Sequence, residues 1–134
     1  MPTPVLPDPV IAARTALLAQ APVTAVVVQR IYYAIPDTPV YPLLVLSLVD
    51  DGELRPETLS ARVQVDVWGV GSTTQQVIDC KAIAAVLRSV ARDLRGTWAG
   101  CTISNAVVDQ VIPAADAKTG RARFVVDLLL ELNQ

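Results

Sequence analysis

The sequence predicts an α+β fold, a mainly antiparallel sheet with a short N-terminal helix and one long helix packed on one face. Three observations carry that prediction. Residues 59–69, LSARVQVDVWG, alternate Val63, Val65 and Val67 with Arg62, Gln64, Asp66 and Trp68, the period-two pattern of a strand half-buried against a core. Val77, Cys80, Ala84, Leu87, Ala91 and Leu94 then recur every three or four positions, which predicts a helix over residues 74–95. Residues 121–132, RARFVVDLLLEL, alternate once more. A strand of about ten residues and a helix of about 22 both span roughly 33 Å. The long helix can therefore cover the full valine face.

In chain order, residues 1–7 are proline-rich and predict an extended arm. Asp8-Pro9 reads as an N-cap followed by proline at the first helical position. The helix it opens covers residues 9–20, with Val10, Ala13, Leu17 and Leu18 on one face, and Pro22 ends it. Residues 26–33, VVVQRIYY, are dense in β-branched and aromatic types and predict a strand. Pro36, Pro39 and Pro42 make residues 34–42 a loop, and the apolar residues 43–49 a second strand. Residues 50–58, DDGELRPET, predict a surface turn built on Asp51-Gly52.

After the central strand, Ser72 or Thr73 is the expected N-cap of the long helix and Gly96 its C-cap. Ile83 and Val90 widen its apolar stripe, while Lys81, Arg88, Arg92 and Asp93 sit off it. Trp98 is expected in a loop, residues 102–112 in a strand of weaker pattern, and residues 113–120, PAADAKTG, in a polar loop. The last strand has a mixed second face. Val125 and Leu129 must meet either the side chains of a sheet neighbour or another subunit.

At 134 residues the chain has the size of one domain, long enough to bury a core without staples. It is 52% hydrophobic and 18% charged, against about 25% charged in typical soluble domains. Either the composition is simply rich in valine, alanine and leucine, or neighbouring subunits cover part of an apolar surface. No apolar run approaches the ~18 residues of a membrane span, so no membrane partner is expected. The net charge of −2 argues against a dedicated nucleic-acid binder, which needs a basic stripe. The N-terminus lacks the charged and apolar regions of a secretory signal. Cys80 and Cys101, two in a chain of this size, make neither a disulfide framework nor a metal site; both read as small, reduced core residues of a cytosolic protein. With no histidine, the commonest general base and metal ligand is missing.

The candidate chemistry is correspondingly thin. The turn Gly69-Val70-Gly71-Ser72-Thr73-Thr74 lies between a strand and a helix, where free amides can bind phosphate. It lacks the lysine of a phosphate-binding loop and the third glycine of a dinucleotide fingerprint, so a tight turn and helix cap is the plainer reading. Asp50, Asp51 and Glu53 lack the spacing of a calcium loop. Asp66 and Asp127, facing away from the best apolar face, are expected to partner Arg62 or Arg123. Lys118, Arg121 and Arg123 form the one basic concentration, read as a solvated edge, an interface rim or, less simply, a phosphate contact. The serines and threonines have no histidine to activate them. No catalytic residue, metal or cofactor follows, and the chain is not expected to be an enzyme.

Over about 120 residues the chain resembles the tail-terminator or tail-completion family of long-tailed bacteriophages and prophages. The resemblance rests on the leucine pair Leu17-Leu18, the segment Arg30-Ile31-Tyr32, a proline-bearing loop into Tyr41-Pro42-Leu43, the strand Val63 to Trp68 with its long helix, and the closing segment Phe124 to Leu132. It implies a virion structural protein, one α+β domain over residues 1–134, that assembles as a hexameric ring. Such a ring caps the finished tail tube at the head-proximal end, stops its polymerisation and presents a head-joining surface. The partners implied are further copies of the chain, the tail tube protein and the head–tail connector protein, with DNA only passing through the lumen and assembly in the host cytoplasm. The expected interface residues are Arg30, Arg55, Arg62, Trp68, Lys118, Arg121 and Arg123, Trp68 as an aromatic anchor among charges. The rival readings are a head-completion or connector protein of the same virion, and a small cytosolic ligand-binding regulatory domain using the glycine turn as an anion site.

Overall fold

The computed structural model describes residues 8–55 and 58–133; for residues 50–55, 58 and 59 it describes the backbone. The arm expected over residues 1–7 lies outside the described residues. The elements are α1 (Pro9–Leu18), α2 (Ala21–Val27), β1 (Ile31–Tyr32), β2 (Leu43–Arg55), β3 (Thr58–Trp68), α3 (Thr74–Val90) with a 3₁₀ turn over Ala91–Leu94, β4 (Gly96–Trp98), β5 (Cys101–Pro113) and β6 (Arg123–Asn133). The strands form one sheet in the order β1-β2-β3-β6-β5-β4. All its pairings are antiparallel except the short parallel contact of β1 with β2. The α+β class is as the sequence predicts.

Period two decides which side of the sheet is buried. Val63, Val65 and Val67 of β3 stand level with Leu128, Val126 and Phe124 of β6, all buried in the core. Leu44 and Leu46 of β2 and Ile103 and Ala106 of β5 extend the same layer outward. α3 closes over it with Cys80, Ile83, Ala84, Leu87 and Val90. Beside α3, α1 contributes Ala12, Ala13, Ala16 and Leu17, three of them small enough to bring the helix axis close to the strands. Asp8 caps α1 as expected, its carboxylate accepting from the amides of Val10 and Ile11 at 2.9 and 3.2 Å.

Four sequence expectations are corrected. Residues 26–33 are not a strand: α2 runs to Val27, and only Ile31 and Tyr32 pair in the sheet. Pro22 stands in the first turn of α2, where its missing N–H costs nothing, and Val23 and Val27 at i, i+4 are both buried; packing overrides the β propensity of valine. Val28 ends α2 at φ 57°, a strained position for a β-branched residue.

Asp51-Gly52 is not the hairpin turn either. β2 continues to Arg55, with Asp51 opposite Ala61 and Gly52 opposite Ser60, because register shifts between Leu48 and Asp50 and between Glu53 and Arg55 absorb the irregular sequence. Arg55 still pairs with Thr58, and residues 56 and 57 of the expected turn lie outside the described residues. The long helix ends at Val90 and tightens into the 3₁₀ turn before Gly96, at φ 141°, releases the chain. Trp98 lies in β4 rather than in a loop, and its indole N–H donates to the carbonyl of Leu94 at 2.7 Å.

Candidate assembly surfaces

The other side of the sheet carries no helix among the described residues. It holds Arg62, Gln64, Asp66 and Trp68 of β3 beside Leu129, Asp127, Val125 and Arg123 of β6, paired in that order. All are half-buried. The charges satisfy one another. Arg123 donates to Asp66 at 2.9 Å, and Gln64 donates to the second oxygen of Asp66 at 2.9 Å. Arg62 reaches Asp127 at 3.1 Å and Asp109 at 3.2 Å. The hydrogen bond that Arg62 donates to Asp109, with the charges of both carboxylates, raises the Arg62 pKa above its ordinary value. Asp66 and Asp127 thus take the partners the sequence suggests.

Trp68 lies level with Arg123 across the β3–β6 ladder, whose guanidinium stands 5.1 Å from the indole centroid in cation–π range. The Trp68 Nε1 and the Arg123 Nε are buried and have no hydrogen-bond partner among the described residues. The tryptophan is a half-covered ring held by an arginine, not a freely exposed one.

The remaining expected residues scatter. Arg121 stacks on Tyr41 at 3.8 Å from the ring centroid and donates to the carbonyls of Gly69 (3.1 Å) and Val70, so it ties the loop before β2 to the glycine turn. Arg30 donates to the carbonyl of Pro42 at 2.8 Å, closing the same loop across its base. Lys118 is exposed in a turn that Asp116 organises by accepting from the Thr119 amide and hydroxyl at 2.9 and 2.7 Å; those bonds hold the Asp116 carboxyl below the usual carboxylate range. The Arg55 side chain lies outside the described residues. The structure therefore brings Arg62, Trp68 and Arg123 onto one face and separates Lys118 and Arg121 from it. Asp109 and Tyr41 were not expected here. Asp109 sits where the β5–β6 register shifts between Val108 and Gln110, and a bulge has no period-two signal.

The glycine turn is a cap. Thr73 accepts from the Gln76 amide at 3.2 Å while the Gln76 side chain accepts from the Thr73 amide at 3.0 Å, a reciprocal box that satisfies donors an anion would need. At Gly69 a Cβ would stand 3.0 Å from the Cβ of Cys80 and 3.1 Å from that of Ala122, so glycine is what lets the turn pack on α3. Beside it lies a groove of about 490 Å³, lined by Val26, Pro42, Val70, Gln76, Cys80 and Ile83 among others. Cys80 is buried below, its thiol donating to the Val67 carbonyl at 3.3 Å, and burial pushes its pKa up to about 11.

No curated protein matches the chain significantly. Among solved structures, a chain from the virion of a native gene transfer agent particle superposes with a TM-score of 0.68 at 14% identity, covering 95% of this chain and 100% of that one; the likeness shows a shared fold. The family model described as tail completion protein gp17 matches residues 12–131, from within α1 to within β6. The chain belongs to the tail completion protein gp17 family.

Proposed function

We propose that this protein acts as a structural piece of the virion, assembling as a hexameric ring on the head-proximal end of the tail tube. There it stops tube polymerisation and offers the head–tail connector a joining surface, while DNA passes through the lumen. The observation that carries this reading is the two-sided sheet in a tail completion chain. One face is sealed by helices, whereas the other presents Trp68, Val125 and Leu129 among ion pairs to whatever lies outside the subunit. The groove beside the glycine turn, with Val70 and Ile78 exposed near it, is a second apolar area for a neighbour to cover.

Charge fits a conduit. The basic groups on the open face are neutralised in place, and six chains at −2 each total about −12, which keeps DNA from adhering to a lumen. The same pairing leaves Arg62 and Arg123 occupied with structural partners, and the role is one of scaffold rather than enzyme.

Deleting the gene tests the reading. The expected result is headless tails of irregular, excessive length in the host cytoplasm. Normal tails attached to heads would contradict it, and tails of normal length beside heads that lose their DNA would move the protein to the connector.

A further inference from the structure

Both borders of the sheet are open over most of their length. β1 pairs with β2 only at Leu44 and Val45, so among the described residues the outer side of β2 is uncovered over residues 46–55. β4 pairs with β5 only over Cys101, Thr102 and Ile103, which leaves the outer side of β5 uncovered by any described residue over 104–113. Each open border is ten residues long. Such edges present rows of backbone donors and acceptors, and proteins that must stay apart blunt them with charges, above all lysine, with proline and bulges, or cover them. Neither border contains a lysine. Both instead carry exposed apolar side chains: Leu48 (43% exposed) and Val49 (53%) on β2, Val107 (45%) and Ile112 (44%) on β5.

Direction and charge select the partner. Three antiparallel pairings separate β2 from β5, so the two borders run in opposite senses. A second copy rotated about an axis roughly along the strands keeps its direction, and its β2 meets β5 of the first copy antiparallel. Pairing β2 with β2 would oppose two sets of Asp50, Asp51 and Glu53; pairing β5 with β5 would oppose two copies of Asp109 and end growth at a dimer.

The short strands set the offset. β1 lies level with Phe124 and Val125 at one end of the sheet, and β4 lies level with Leu132 and Asn133 at the other. A flush junction would drive each into the neighbour, and an offset of two or more residues relieves both. The offset must be even to keep the helix-covered sides together. Four residues per four long strands gives a strand tilt of about 35° from ~3.3 Å per residue and ~4.8 Å between strands, within the range at which sheets close into barrels. The register shifts in β2 and β5 supply the bending that closure needs.

We propose, resting on the ring reading above, that copies of this chain join by pairing β5 of one with β2 of the next into a continuous closed sheet. Opposed residues on antiparallel strands bring their Cβ atoms to about 5 Å, close enough for a disulfide. Ile112→Cys combined with Ser47→Cys tests an offset of two, and combined with Asp50→Cys an offset of four. After oxidation, alone or with tail tube protein, one double variant is expected to give a covalent ladder beyond the dimer on a denaturing gel, with each single variant monomeric. Full-sized rings with no ladder from either pair would overturn the edge pairing and leave the ring reading standing, as would dimers from Ile112→Cys alone. No species larger than a monomer under any of these conditions would overturn the ring reading itself. In a second readout, Val107→Lys with Ile112→Lys is expected to weaken assembly at least tenfold with an unchanged melting midpoint; undiminished assembly would contradict the proposal.

Discussion

Along β6, two sets of alternate residues have opposite fates. Phe124, Val126, Leu128, Leu130 and Leu132 are buried under α1 and α3, whereas Arg123, Val125, Asp127 and Leu129 remain half-exposed on a side no described element covers. One strand therefore serves two purposes. Its first set supplies the burial that holds the monomer together, at roughly 25 cal/mol per Å² of apolar surface. Its second set contributes modestly to folding, because ion pairs near solvent are worth little, and is available for assembly. Substitutions on the two sides should accordingly separate stability from oligomerisation.

The largest effect is expected on the covered side. Leu130 is 1% exposed, and Leu130→Ala should cost about 2–5 kcal/mol of unfolding free energy by leaving a cavity, read by chemical denaturation. A loss below about 1 kcal/mol would show that the layer under α3 collapses to fill it. On the open side, Trp68→Ala is expected to lower monomer stability by about 1–2 kcal/mol, since the ring is half-covered by Arg123, and to weaken ring assembly more than that loss accounts for. Unchanged oligomer size with a large drop in melting temperature would return Trp68 to the core.

Alkaline pH probes the covered side by another route. The folded state holds the Cys80 thiol neutral to about pH 11, against an ordinary value of 9.0. A raised pKa means that its contribution is complete below pH 9 and is lost as pH climbs from 9 through 11. Denaturation midpoints should fall across that window, and less steeply in Cys80→Ala. The smallest effect is expected from Asp66→Asn, which removes the 2.9 Å ion pair with Arg123 and should cost about 1 kcal/mol or less. A loss of several kcal/mol would mean that the open face helps to hold the fold.

The contrast also explains what the sequence discloses. β3, α3 and β6 are legible because a single-sided burden imposes a clean period, two for Val63 to Val67 and 3.6 for Cys80 to Val90. The pairing of Asp66 and Asp127 with arginines followed from their shared side. α2 was illegible because burial of Val23 and Val27 alone decides it, while the valine run in which they stand carries strand propensity. Asp51-Gly52 misled because a bulged edge strand tolerates turn residues. Asp109, Tyr41 and the open borders depend on register and on loops folding back, which no local pattern encodes.

On the proposed function, a finished subunit keeps one side of its sheet for itself and gives the other to the tail. The most direct measurement adds purified protein to polymerising tail tube protein and follows tube length by electron microscopy. The expected result is that a few copies per tube halt elongation and leave a ring at one end. Tubes that grow to the same length with and without the protein, their ends bare, would contradict it.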